Sequence, residues 1–270
     1  MPPPLGHLLL TGAAGTLGRA LTVPLKALAA RLTVSDLAGP LAGLALPRGV
    51  AAVPCDLADA AQVHVLLAGV EAVVHLGGVA VEGPVGPILQ ANVHGVHHLY
   101  EAARRQGVRR IVFASSNHVT GAYRQDERIG PEDPPRPDGH YGLSKLYGEG
   151  IASLYWHRHG IESVCVRIGT ATPTPEDRRA LSSWLSPGDL VRLVRAALTA
   201  PGVGCLVAYG CSRNTRRWWD SDTAWARLGY LPLDDAEAFA AEVEHRWLPE
   251  GPQRTLQGGS FLGIGPFDLV

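Results

Sequence analysis

The sequence predicts an α/β protein: a doubly wound parallel sheet with a small C-terminal substrate lobe. Three observations predict it. Short apolar runs of strand length recur between helix-length segments, the rhythm of a parallel sheet. A glycine cluster, Gly12 to Gly18, follows the first run and opens a segment with helical apolar spacing. Acidic and small residues stand at the ends of the later runs, where sheets of this kind bind their ligands.

The elements follow in order. Leu8-Leu9-Leu10-Thr11 reads as a buried first strand. Gly12 permits the tight turn, Gly15 lets the backbone approach a pyrophosphate, and Gly18 lets the helix pack closely on the strand. Free N–H groups and the helix dipole at that turn favour an anion. The cluster lacks a Gly-Lys-Ser/Thr ending, so it is not a nucleotide-triphosphate loop. The next helix runs through Leu21 and Leu25, and Pro24 is expected to kink or end it. Arg31 to Ser35 forms the second strand and ends in Asp36, about 20 residues past the glycines, where an acid accepts a ribose 2′-hydroxyl. No Arg or Lys follows in Leu37-Ala38-Gly39, so a 2′-phosphate would find no partner and NAD is favoured over NADP. A turn cap is the other reading of Asp36.

Val50 to Pro54 is a third strand, with Asp56 beyond it as acceptor for an adenine amino group. Glu71 to His75 is a fourth, and Gly77-Gly78 after it lets a cofactor pass. Thr16, Leu17, Leu37, Leu57 and Leu76 flank these positions and complete the candidate cofactor wall. Arg110 to Ala114 is a fifth strand leading into Ser115-Ser116-Asn117-His118, and Glu162 to Ile168 a sixth. Thr172-Pro173-Thr174-Pro175 breaks the pattern. The division expected is 1–168 for the cofactor domain and 169–270 for the substrate lobe, with 204–210 returning a strand to the sheet. Asp126 to Gly139, rich in proline and charge, reads as an active-site loop.

Tyr141 and Lys145 are four residues apart, one turn on the same helix face. A phenol with a pKa near 10 is a poor base at neutral pH. A fixed cation beside it stabilises the phenolate; lowering the pKa by roughly three units requires about 4 kcal/mol, which Lys145 and an oxidised nicotinamide would supply together. Ser116, at a strand end, is placed to hold a substrate oxygen. The set predicts alcohol-type oxidation, with Tyr141 as base and Lys145 and Ser116 as its partners.

These residues carry a resemblance. Thr11-Gly12 to Gly18, His75 to Gly78, Ala114 to His118, and Arg136 to Gly142 resemble the extended short-chain dehydrogenase/reductase superfamily, and within it the bacterial uronate dehydrogenases. Val166 to Gly169, Arg179 to Trp184, Trp218 to Asp220 and Gln257 to Phe261 extend the likeness over nearly the whole chain. The glycine motif and the Tyr-Lys pair mark only the superfamily, whereas the Ser-Asn-His run and Arg179-x-Leu-Ser-x-Trp are more specific. The resemblance implies a Rossmann-like fold, and oxidation of glucuronate or galacturonate at C1 to the aldarolactone with NAD. It implies that Ser116, Asn117, His118, Tyr141, Thr170 and Phe261 meet the sugar, and that Arg179 pairs with its C6 carboxylate. Asn92, Tyr141, Lys145 and Ile168 would lie along the cofactor. It also implies a dimer through the helices holding Asn92 to Arg105 and Tyr141 to His157. Two positions depart from the family: Ala80 stands where it has a serine, and Thr170 where it has another serine.

Other readings of the same residues stay open. Arg179 ends a charged run, Asn117 and His118 suit loop caps, and Ser182 and Ser183 suit helix caps. Trp218 and Trp219 read as core or pocket wall. His94, His97 and His98 have helical metal spacing but no acidic or cysteine ligand with them, so no metal site is expected. A nucleotide-sugar epimerase or dehydratase shares the Tyr-Lys pair, but a dehydratase needs an acid pair beside the catalytic hydroxyl, and Asn117 and His118 stand there. A non-catalytic NAD sensor would not need Ser116, Tyr141 and Lys145 together.

Bulk properties narrow the class. The 270 residues are 46% hydrophobic, enough for a sizeable core. A net charge of −1 gives no basic patch for nucleic acid. Cys55, Cys165, Cys205 and Cys211 show no paired spacing, and the chain starts without a charged and apolar signal pattern. No apolar run is long enough for a bilayer. A cytoplasmic protein acting on a small molecule is expected.

Overall fold

The computed structural model describes residues 5–265 and 267. Its centre is a parallel sheet of seven strands in the order β3-β2-β1-β4-β5-β6-β7. The strands are β1 Leu5–Thr11, β2 Ala29–Asp36, β3 Val50–Pro54, β4 Ala72–His75, β5 Arg110–Ser116, β6 Glu162–Ile168 and β7 Cys205–Gly210. The order reverses between β1 and β4, which opens a crevice at the carboxyl edge there. The helices are α1 Thr16–Lys26, α2 Ala38–Ala42, α3 Ala60–Leu66, α4 Val85–Ile88, α5 Gly95–Gln106, α6 His140–His159, α7 Ala180–Ser183, α8 Pro187–Thr199, α9 Asp222–Leu228, α10 Ala240–Val243 and α11 Pro252–Thr255. None is long and apolar enough to cross a membrane among the described residues.

The continuous apolar strands are explained by burial on both faces. Side chains alternate: Leu8, Leu10, Val74, Val112 and Val164 face one core, while Leu9, Val73, Ile111, Phe113 and Cys165 face the other. The first core is closed by α1, α8 and α9 through Leu21, Leu25, Leu193 and Trp225. The second is closed by α3, α5 and α6 through Val63, Leu99, Tyr100, Ile151 and Tyr155. A third, small cluster of Leu181, Trp184, Ala236 and Val243 lies in the later part of the chain.

One local expectation is corrected. Pro24 neither ends nor breaks α1, which continues to Lys26. Proline there removes a single intrahelical donor in the last turn, and Leu25 beyond it still reaches the core.

Helix α6 is seated by close approach and by charge. A Cβ on Gly148 would lie 2.2 Å from Phe113 Cζ, so only glycine lets α6 sit this near β5. One residue on, Glu149 accepts from Arg167 at both oxygens, at 2.9 Å each, and from Ser115 Oγ at 2.6 Å. Arg167 and Glu149 are both buried, with side-chain exposures of 4% and 7%. Burial disfavours the guanidinium's charge, but Glu149 more than offsets this and holds Arg167 above its usual range. Removing one partner leaves an uncompensated buried charge. Glu149→Gln should therefore lower unfolding stability in urea by about 3–5 kcal/mol. A loss under about 1 kcal/mol would show that the pair does not hold α6 in place.

Candidate active site

Two adjoining cavities open at the carboxyl edge of the sheet, and Gly12 lines both. The larger, about 520 Å³, is walled on one side by Gly15, Thr16, Leu17, Gly18 and Leu76. Its other walls include Ser116, Asn117, His118, Tyr141, Lys145, Ile168, Thr170, Arg179 and Phe261. The smaller, about 180 Å³, is walled by Asp36, Leu37, Asp56, Leu57, Gly77 and Gly78. The structure thus brings together every candidate residue except Asn92. Asn92 is 1% exposed, and its amide is engaged by Val79 N–H and carbonyl and by Ser144 Oγ, at 2.8–2.9 Å. It ties the chain after β4 to α6 from behind the wall. Ala80 lies in the wall of the larger cavity.

Tyr141 and Lys145 sit on the first turns of α6, both buried. Lys145 alone does not give the lowering of the phenol's pKa expected of it together with an oxidised nicotinamide. Burial pushes Tyr141 up to about 12, the Ser116 hydroxyl pulls it partly back, and the Asp138 charge adds to the rise. Lys145 Nζ lies 5.6 Å from the Tyr141 ring centre and 5.3 Å from that of Phe113. Burial lowers Lys145 itself to about 8, so it still carries its charge at neutral pH. Lys145 and burial also keep His75 neutral, near 3, with burial the larger cause. Thr11 Oγ1 accepts from Gly77 N–H at 3.2 Å and shares a hydrogen bond with His75 Nδ1 at 2.7 Å. That pairing fixes the turn after β4 to the end of β1.

The opposite wall is polar. Ser116 ends β5, and its Oγ accepts from His118 N–H at 3.2 Å, capping the turn Asn117–Thr120. The Asn117 amide satisfies its surroundings with nitrogen to the Ile168 carbonyl, 2.9 Å, and oxygen to Arg179 Nη2, 3.1 Å. His118 stacks on Phe261 at 3.9 Å and meets the Tyr141 ring edge-on at 5.7 Å. Arg179 is not part of a solvated charge run: it turns inward while Arg178 pairs outside with Glu244. Its hydrogen bonds go to neutral acceptors, the Gln257 carbonyl at 2.8 Å, Thr170 Oγ1 at 3.0 Å and Ser183 Oγ at 3.4 Å. No ion pair among the described residues includes it. Burial lowers its pKa, and the charges of Asp177 and Asp138 raise it. Ser183 therefore supports Arg179 and Thr170 rather than capping a helix. Trp219 is core: it is fully buried, stacks on Tyr209 at 4.9 Å and donates to Gln257.

Two residues of the site escaped the sequence reading. Glu82, with a side chain 7% exposed, accepts from the N–H groups of His140 and Tyr141 at 3.1 and 2.9 Å. It caps α6 from a distant loop, because Gly139 has no side chain to do so. Asp138, with a side chain 1% exposed, holds His118 Nδ1 at 2.7 Å. The spacing His118 to Asp138 has no periodic meaning, and only the fold joins them. Among the described residues His94, His97 and His98 fall in no group of three or more side chains that could hold a metal ion, and His98 Nδ1 donates to the Leu57 carbonyl at 3.0 Å.

Residues 8–187 match the model of the NAD dependent epimerase/dehydratase family. The chain belongs to that family. It is 51% identical to a uronate dehydrogenase of Pseudomonas putida over 267 residues, 98% of each chain. A solved uronate dehydrogenase from Agrobacterium tumefaciens, complexed with NAD, is 44% identical and superposes with a TM-score of 0.91 over 98% of this chain and 100% of that one. A solved glucuronic acid dehydrogenase from Chromohalobacter salexigens is 46% identical, with a TM-score of 0.91 over 97% and 98% of the two chains. The member described here is an NAD-dependent dehydrogenase.

The family's dinucleotide fits the residues present. A Cβ on Gly18 would lie 2.3 Å from the Gly12 carbonyl oxygen, so the turn closes tightly on β1. No side chain caps α1 and no acid lies in its first turn, which leaves its N–H groups to an anion. Asp36 accepts from Ala14 N–H at 2.9 Å and Leu37 N–H at 2.8 Å, so it braces the glycine turn besides facing the smaller cavity. The turn-cap reading is seen in these hydrogen bonds, and the place of the carboxylate in the cavity wall suits the ribose reading. Asp36→Ala should weaken NAD at least about tenfold and relax discrimination against NADP, as read by titrating protein fluorescence. Unchanged discrimination would remove Asp36 from the ribose.

Proposed function

We propose that this enzyme oxidises a cyclic hexuronate, D-glucuronate or D-galacturonate, at C1 to the aldarolactone. The observation that carries the reading is Arg179. A guanidinium buried in the cavity wall, bonded only to neutral acceptors, suits a carboxylate on the substrate. Relatives at 44–51% identity that act on uronates point the same way. A dehydratase would need an acid pair beside the catalytic hydroxyl, and Asn117 and His118 occupy those places.

Tyr141 is the base. It takes the proton of the anomeric hydroxyl while Ser116 steadies that oxygen. The C1–H bond breaks with its electron pair, and a C1 carbonyl forms within the ring as a lactone. NAD, when bound, supplies the acceptor for that hydride. Lys145 holds its charge near the phenol as the proton arrives and leaves. Arg179 and Thr170 orient the sugar through its carboxylate, and Phe261 and His118 form an apolar and polar platform beside Tyr141. Hemiacetal oxidation needs no covalent intermediate, so no cysteine nucleophile is required.

Purified protein mixed with NAD and either uronate should develop the NADH absorbance band. Turnover of a UDP-sugar with none of a uronate would overturn the reading. Tyr141→Phe should lower kcat by at least about 100-fold with NAD affinity within about twofold of wild type. Substantial residual rate would remove Tyr141 as the base. Arg179→Lys keeps the charge but loses the fork, and should raise the uronate KM by about 10- to 100-fold. An unchanged KM would place the carboxylate elsewhere.

A further inference from the structure

A buried carboxylate behind a cavity-lining imidazole has one evident use. Asp138 ends the loop before α6, and it grips His118 twice. Its Oδ2 is 2.7 Å from His118 Nδ1, and its N–H donates to the His118 carbonyl at 3.3 Å. Room for that carboxylate is built by glycine. A Cβ on Gly121 or on Gly258 would lie 1.8 Å from Asp138 Oδ2. Neither glycine needs its conformational freedom, since both have ordinary negative φ, −65° and −67°. Their value here is the missing side chain.

The imidazole is held on its other sides too. Phe261 stacks on one face at 3.9 Å with planes 13° apart, and Tyr141 meets the ring edge. Nε2 has no hydrogen-bond partner among the described residues. Unlike His75 Nε2, it is not sealed off, and the ring lines the larger cavity. A carboxylate can only accept, so the proton between the pair belongs on Nδ1. Nε2 of the neutral ring then carries the lone pair.

We propose that Asp138 is a positioning residue: it fixes the plane and tautomer of His118, so that Nε2 meets a hydroxyl of the bound sugar as an acceptor. The part concerning the sugar rests on the uronate reading, and the tautomer does not. A substrate hydroxyl that must donate to Nε2 is recognised by direction as well as place, as with the carboxylates that orient imidazoles in other sites.

The first test needs no substrate. In 15N-histidine-labelled protein without substrate, assigned with His118→Gln and followed over a pH series, the neutral His118 ring should carry its proton on Nδ1. A neutral ring with its proton on Nε2 overturns the proposal. The second test is kinetic. Asp138→Ala should raise the uronate KM about tenfold, with kcat within about threefold and NAD affinity unchanged. Asp138→Asn, nearly the same shape and still able to accept through its carbonyl, should restore most of the loss. In a His118→Ala background, Asp138→Ala should add nothing. A wild-type KM in Asp138→Ala, or a full Asp138→Ala effect without His118, overturns the proposal. If Asp138→Ala fails to fold, the labelled wild-type spectrum decides. Absence of turnover with any uronate by the wild type would fell the substrate reading alone, because the tautomer is measured without it.

Discussion

The pair Glu149–Arg167 fixes where α6 lies on the sheet, and the chemistry depends on that seat. The buried face of α6 is apolar only in its later turns, at Ile151, Ala152 and Tyr155; its earlier turns carry Tyr141, Ser144, Lys145, Gly148 and Glu149. That earlier part gains little from hydrophobic burial and needs specific partners. Arg167 comes from β6 and Ser115 from β5, so one carboxylate joins the helix to two strands. A buried pair adds little net stability over apolar packing of the same volume. Its contribution here is a definite height and rotation, with Lys145 one turn above Glu149 and Tyr141 one turn above that. Glu82 fixes the same helix at its other end.

With α6 so placed, desolvation dominates the electrostatics of the site. It pushes the phenol up to about 12, with the Asp138 charge adding to the rise and the Ser116 hydroxyl opposing it. It also lowers the ammonium to about 8. The phenol is thus neutral near pH 7, with the Lys145 ammonium 5.6 Å from its ring centre. Activation of Tyr141 is not a property of the Tyr-Lys spacing alone. It requires whatever charge and hydrogen bonds the bound ligands add around that oxygen.

The sheet and the glycine turn were legible in the sequence because their causes are local. Strand periodicity, a glycine that must bring α1 onto β1, and an acid at a strand tip act within a few residues. Even the face alternation of Leu8, Leu9 and Leu10 follows from strand geometry. Pro24 does not end α1 on the spot because it falls in the last turn, where the rule for helix interiors has little hold. From its charged neighbours alone Arg179 read as solvated; its inward course is set by Thr170 and Ser183, a few residues away, together with Gln257, 78 residues on. Glu82 lay in no motif, and Asp138 lay in one, Arg136 to Gly142, that gave it no role. Each acts on backbone or ring atoms 20 or more residues away, and such pairings exist only after the chain has folded.

The ring of Phe261 against His118 joins the 3₁₀ turn Gly259–Gly263 to a wall made mostly by β5 and α6. Everything that would hold a dinucleotide comes much earlier in the chain. On a ribosome, the nucleotide cleft can therefore assemble while the sugar pocket still lacks a side. The residues lining the cleft from Gly12 to Ile168 are all made before Phe261, whose ring closes that wall last.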